Sequence, residues 1–127
     1  MFETASGELL VNELAMRPHN SGHFSIEGSK TSQFEQHLRA VLDLPLGDTE
    51  LVGGGSVMVN LLGVNSKNTL VENYATAMAK FPHLKFHSYQ KAPRQGRKMG
   101  HITALGQNHR ELLVACHEAA ELLYQGD

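Results

Sequence analysis

The run Leu9-Leu10-Val11-Asn12-Glu13-Leu14 is short and β-prone. As an extended strand it points Leu9, Val11 and Glu13 one way and Leu10, Asn12 and Leu14 the other. Ala5-Ser6-Gly7 suits a hairpin turn back from a first strand near Met1–Glu3. Arg17 to His23 is polar and contains Pro18 and Gly22, so it reads as a loop. Ser32 and Glu35 have the spacing of a capping box, and Phe34, Leu38, Val41 and Leu42 follow on one helical stripe. Leu44-Pro45-Leu46-Gly47 ends that helix. Ser56 to Val64 is a strongly apolar strand. Thr69 and Glu72 cap a second helix running to Lys80, with Leu70, Tyr74 and Met78 on one face and Pro82 as its stop. Leu84 to Tyr89 and Met99 to Leu105 read as strands joined by a loop over Lys91–Lys98. A last helix starts at Asn108 and turns Leu112, Cys116, Ala119 and Leu123 inward. The pattern predicts an α+β fold of five strands and three helices.

The chain has 127 residues, which fits one compact domain or two small pieces of domains. Its formal charge of -2 excludes a broadly basic nucleic-acid surface and a disordered acidic tail. A lone cysteine, Cys116, has no internal disulfide partner, and no signal-peptide pattern opens the chain, so a cytoplasmic location is expected. No apolar run reaches the roughly 18 residues of a membrane span. The charge is unevenly divided. Residues 1–52 sum to -5 and residues 53–127 to +3, meeting at Gly53-Gly54-Gly55. Between Asn73 and Arg110 there is no Asp or Glu. A boundary between 1–52 and 53–127 is therefore expected.

Two clusters carry candidate chemistry. The first runs from Asn12 and Glu13 through Arg17, His19, Asn20, Ser21 and His23. A carboxylate at a strand end offers a hard oxygen to Mg²⁺. An arginine can neutralise a phosphoryl or carboxyl group, and a histidine can relay a proton near neutral pH. The same residues also make an ordinary hydrogen-bonded surface loop. The second cluster places Lys91, Arg94, Arg97 and Lys98 in eight residues around Pro93 and Gly96. These four could cradle a phosphomonoester, or they could be a solvated hairpin tip. The patch is short and lacks interleaved stacking aromatics, which argues against nucleic acid. The triple glycine lacks the Lys-Ser/Thr of a phosphate loop and reads as a connector. His37, His83, His87, His109 and His117 show no ligand pattern, and Cys116 reads as core.

Four stretches, in order, resemble one family. They are Asn-Glu-Leu-Ala-Met-Arg-Pro-His-Asn-Ser-Gly-His at 12–23, Thr-Ser-Gln-Phe-Glu-Gln-His-Leu-Arg-Ala at 31–40, Ser-Val-Met-Val-Asn-Leu-Leu-Gly at 56–63 and Gly-Arg-Lys-Met-Gly-His-Ile-Thr at 96–103. Together they resemble the 5-(carboxyamino)imidazole ribonucleotide synthases, ATP-grasp ligases of purine biosynthesis also named the ATPase subunit of phosphoribosylaminoimidazole carboxylase. The resemblance implies a reaction in which MgATP and bicarbonate carboxylate the exocyclic amine of 5-aminoimidazole ribonucleotide. It implies that Asn12 and Glu13 face the nucleotide, with Glu13 a Mg²⁺ ligand. Arg17 and His19 would then lie near bicarbonate and the imidazole substrate, with Asn20, Ser21 and His23 on the same loop. Lys91 and Arg97, with Arg94 and Lys98 as lesser candidates, would hold the 5′-phosphate. Met16 and Gln95 stand where the family usually has Pro, which loosens both loops without removing a functional group.

The resemblance also implies the tail of an ATP-grasp domain over 1–52, followed by a small β-sandwich-like domain with packed helices over 53–127. An N-terminal domain and most of the ATP-grasp domain would precede this stretch in the family. The expectation is therefore a fragment that is inactive alone, whose hairpin edge can pair with a second copy. Two rivals remain. One is the formate-dependent glycinamide ribonucleotide transformylase, which shares an Arg-Pro-His loop but continues with Asp-Thr-Gly. The other is a non-catalytic module that binds a phosphorylated ligand or a partner.

Overall fold

The computed structural model describes residues 1–64 and 70–125, without the side chains of residues 71 and 125. The expected cap at Thr69 lies outside the described residues. A short hairpin pairs β1 (Phe2–Glu3) with β2 (Leu9–Leu10), its turn closed by the Gly7 N–H donating to the Thr4 carbonyl. The strand expected to reach Leu14 ends at Leu10. Beyond it Val11, Leu14 and Met16 are exposed, and among the described residues no third strand joins the hairpin. A 3-10 turn at Asn20–Gly22 leads into α1 (Ser25–Gly28), a single helical turn.

Helix α2 (Gln33–Val41) starts where its cap predicts. The Ser32 side chain accepts the Glu35 N–H, satisfying one orphan donor of the first turn. The Glu35 carboxylate completes no box. It takes two hydrogen bonds from Arg39, one turn on. The apolar stripe does not pack inward as expected: Leu38, Val41 and Leu42 are all more than half exposed. The helix is instead anchored by its polar flank. Gln33 clamps both peptide groups of His19, and Gln36 clamps both peptide groups of Gly47. Each clamp satisfies a part-buried N–H and C=O together, which a side-chain carboxamide does well because it mimics a peptide.

The core lies in residues 53–125. A three-stranded antiparallel sheet runs in the order β3 (Ser56–Leu62), β5 (Lys98–Leu105), β4 (Lys85–Ser88). Alternation sends Val57, Val59, Leu61, Phe86, Ile102 and Ala104 to one face. There they meet α3 (Tyr74–Lys80) and α4 (His109–Gln125), which bury Ala77, Cys116, Ala119, Ala120 and Leu123. Cys116 is core, as expected, and burial pushes its thiol up to about 11. Met78, which periodicity places on one face with Leu70 and Tyr74, is half exposed, and Ala77 is buried instead.

The other face is polar. Asn60, His101 and His87 stand in one register row across β3, β5 and β4, beside the fully buried Thr103. Residues 20–28 cover this row. The Asn20 Nδ2 donates to Asn60 Oδ1 at 2.8 Å, and His87 Nε2 lies 2.7 Å from Glu27 Oε1. The fold is α+β as expected. In place of two facing sheets, the described C-terminal residues form one sheet between a helical layer and the 20–28 segment. Gly53 and Gly54 turn the chain into β3 with φ of +73° and +87°, conformations that glycine adopts at no steric cost.

Candidate functional site

The two clusters separated by about seventy residues of sequence meet in space. Arg17, His19, Asn20, His23, Tyr89, Lys91 and Lys98 line one cleft of about 310 Å³. Both its walls are built locally. On the first wall, the Gln33 carboxamide accepts the His19 N–H at 2.9 Å and donates to the His19 carbonyl at 2.7 Å. Its second N–H points to His23 Nδ1 at 2.6 Å. That nitrogen must accept, so the His23 proton sits on Nε2. Burial, aided by the neighbouring His19, Lys98, His87 and Arg17, lowers the His23 pKa and keeps the ring neutral. His19 caps the 3-10 turn by accepting the Ser21 N–H on Nδ1, with the Ser21 hydroxyl also 2.8 Å from that nitrogen. Its proton is thus on Nε2, which faces Glu13 Oε1 at 3.5 Å.

The second wall is the end of β4 and the start of β5. Gln90 takes φ +52°, a left-handed conformation that costs a side-chain-bearing residue about 1–2 kcal/mol. Just beyond that turn, the Lys91 ammonium lies over the Tyr89 ring, 5.0 Å from its centroid. The loop is clipped to β3 at Gly63, whose N–H donates to the Arg97 carbonyl and whose carbonyl accepts the Gly96 N–H. A Cβ at Gly63 would press into the Arg94 carbonyl, so this close approach needs glycine. The walls are tied directly: Lys98 Nζ donates to Asn20 Oδ1 at 2.9 Å.

Not every expected residue enters the cleft. Lys91 and Lys98 line it, whereas Arg94 is exposed on the loop and Arg97 donates to the Ala92 carbonyl at 3.1 Å. Ser21 is at the rim, held to His19, and Asn12 lies on the exposed extended segment beyond β2. Glu13 reaches the cleft through His19. Among the described residues no group of three His, Cys, Asp or Glu could hold a metal ion, so Glu13 offers one oxygen and not a complete Mg²⁺ site.

Sequence reasoning missed a buried file of polar groups behind the cleft. Tyr89 OH is 2.8 Å from His101 Nδ1. The His101 ring stacks on His87 at 4.2 Å, tilted by 9°, and His87 meets Glu27. Burial, with His87 and His23 beside it, lowers the His101 pKa to about 4. The available signal was register. Asn60, His87 and His101 are polar at strand positions where alternation leaves room for an apolar face, and they align only once the strands are paired.

The chain is similar to known proteins over nearly its whole length. The family model for the phosphoribosylaminoimidazole carboxylase C-terminal domain matches residues 56–114, and the ATP-grasp domain model matches residues 1–34. The N5-carboxyaminoimidazole ribonucleotide synthase of Mycobacterium tuberculosis (strain H37Rv) is 51% identical over 99% of this chain. That of Bacillus subtilis is 53% identical over 87% of it. The chain spans 30% and 28% of the lengths of these two relatives. The crystal structure of the synthetase from Thermotoga maritima superposes with a TM-score of 0.82 at 45% identity, over 96% of this chain and 34% of that one. The Aspergillus clavatus synthase, solved with ADP and 5-aminoimidazole ribonucleotide, has a TM-score of 0.82 at 35% identity, over 98% of this chain and 34% of that one. Over nearly its whole length the chain is similar to the C-terminal part of the N5-carboxyaminoimidazole ribonucleotide synthases.

Proposed function

We propose that this chain supplies one wall of an ATP-grasp active site that carboxylates 5-aminoimidazole ribonucleotide with bicarbonate. The observation that carries the reading is the single cleft in which Arg17 and His19 face Lys91 and Lys98. Residues 1–52 contribute the tail of the ATP-grasp domain and residues 53–127 the small C-terminal domain. Lys91 and Lys98 hold the 5′-phosphate as point charges, and Arg94 and Arg97 add positive potential from the loop. His19, with its proton on Nε2, donates a hydrogen bond at the reacting end, and Arg17 balances charge there. Asn12 and Glu13 border the nucleotide, and Glu13 would offer one oxygen to a Mg²⁺ ion. That ion would polarise phosphoryl oxygens when bound.

The reading predicts weak and phosphate-dependent binding by the 127-residue chain. Calorimetry should give a dissociation constant on the order of 1 mM for 5-aminoimidazole ribonucleotide, because a few exposed charge-assisted contacts yield about 4 kcal/mol. The corresponding nucleoside should give no heat of binding. Lys91→Ala and Lys98→Ala should each weaken the nucleotide several-fold. Equal binding of nucleotide and nucleoside would overturn the phosphate assignment. The same chain should hydrolyse no ATP when the ribonucleotide is added; turnover would overturn the proposal that it supplies one wall and not the whole site.

A further inference from the structure

The Tyr89 hydroxyl has an unusual set of neighbours. It sits in the cleft beside Lys91 and Lys98, and its oxygen meets His101 Nδ1 at 2.8 Å. His101 is 1% exposed, and its Nε2 has no hydrogen-bond partner among the described residues. A neutral imidazole carries one ring proton, on either nitrogen. If that proton were on Nε2, a buried N–H would be orphaned, which is costlier than an unpartnered ring acceptor. The proton therefore belongs on Nδ1, where it donates to the Tyr89 oxygen. The depressed pKa of the ring agrees with its neutrality. A phenol oxygen that already accepts from His101 keeps its own proton for another acceptor. Burial raises the Tyr89 pKa and outweighs the opposing hydrogen bond from the Asn20 side chain, so that proton stays in place at neutral pH.

We propose that Tyr89 is a further ligand-binding residue of the cleft, its hydroxyl donating to an anionic phosphate oxygen held between Lys91 and Lys98, with His101 as the positioning residue that orients it. The proposal rests on the phosphate-binding reading given above. Two lysines alone recognise charge and little geometry, since each is a point charge on a flexible stem. A hydroxyl fixed from behind by a buried imidazole adds one directed bond. The ring also keeps the Lys91 ammonium over the cleft through its face. Tyr89→Phe separates these two roles, because it deletes the hydroxyl and leaves the ring.

Ribose 5-phosphate is the probe, followed by amide NMR of the 127-residue chain, with neutral ribose as the control. Tyr89→Phe should weaken ribose 5-phosphate about tenfold, the usual effect of losing one hydrogen bond to a charged group, and should leave ribose unaffected. Imidazole ¹⁵N shifts of the unsubstituted chain should place the His101 proton on Nδ1. This readout requires no variant, so it decides the His101 part even if Tyr89→Phe folds poorly. A proton on Nε2, or a folded Tyr89→Phe that binds as tightly as the parent chain, would overturn the proposal. Lys91→Ala distinguishes the two levels. If it weakens binding while Tyr89→Phe does not, the Tyr89 role falls and the phosphate site stands. If neither changes binding, or the parent chain shows no saturable shift, both fall.

Discussion

Replacing Gln33 by Leu should release the whole 17–23 wall of the cleft. The Gln33 carboxamide makes three part-buried contacts, to the His19 N–H, the His19 carbonyl and His23 Nδ1. Leucine keeps comparable bulk and helix propensity but satisfies none of these groups. Leaving a part-buried N–H and C=O unpaired costs about 1–3 kcal/mol for each group, so a loss of about 3 kcal/mol is expected. It should be concentrated locally, because α2 keeps its Ser32 cap, its Glu35–Arg39 pair and the Gln36 clamp on Gly47. Hydrogen exchange is the direct measurement. The His19 amide should exchange about a hundredfold faster, while Ile102 in the central strand is little changed. Unaltered protection at His19 would show that the turn holds itself through its Ser21 contacts alone.

Acid should destabilise the fold well above the ordinary carboxylate range, and His101 should account for much of the loss. Its pKa falls from 6.5 to about 4 on folding, chiefly through burial and then through His87 and His23. The groups facing it are His23, His87 with Glu27, and Tyr89. A depressed folded pKa means that the unfolded chain binds the proton first. The stabilisation is therefore full above pH 6.5 and is lost as pH falls towards 4. For this buried ring the change amounts to about 3 kcal/mol between pH 7 and pH 4, and His23 adds to it in the same direction. Urea unfolding across that range should show a falling midpoint, and His101→Gln should flatten the slope even if it lowers stability at pH 7. An unchanged slope in that variant would assign the acid sensitivity elsewhere.

Both predictions concern residues that the one-dimensional pattern hides, and the reason is physical. Helix α4 and strands β3 and β5 were legible because burial of one face imposes a period, seen in Val57, Val59 and Leu61 or in Cys116, Ala119 and Leu123. The cap at Ser32 was legible because it is local. The outward turn of the α2 stripe was not, because the clamps of Gln33 and Gln36 are made with residues more than ten positions away. The cleft was half legible. Its two charged clusters announced themselves, but the choice of Lys98 over Arg97 as a lining residue follows from strand register and from the Asn20 contact. Tyr89 and His101 become a pair only after β4 aligns with β5.

The central claim is that two sequence-distant clusters form one ribonucleotide site. A crystal structure of this chain grown with 5-aminoimidazole ribonucleotide tests it most directly. The account predicts the 5′-phosphate within hydrogen-bonding distance of both Lys91 and Lys98, with the base directed towards Arg17 and His19. A phosphate bound instead on the α4 flank near Arg110, or at the far end of the neighbouring cavity beneath α2, beside His37 and Thr49, would contradict it.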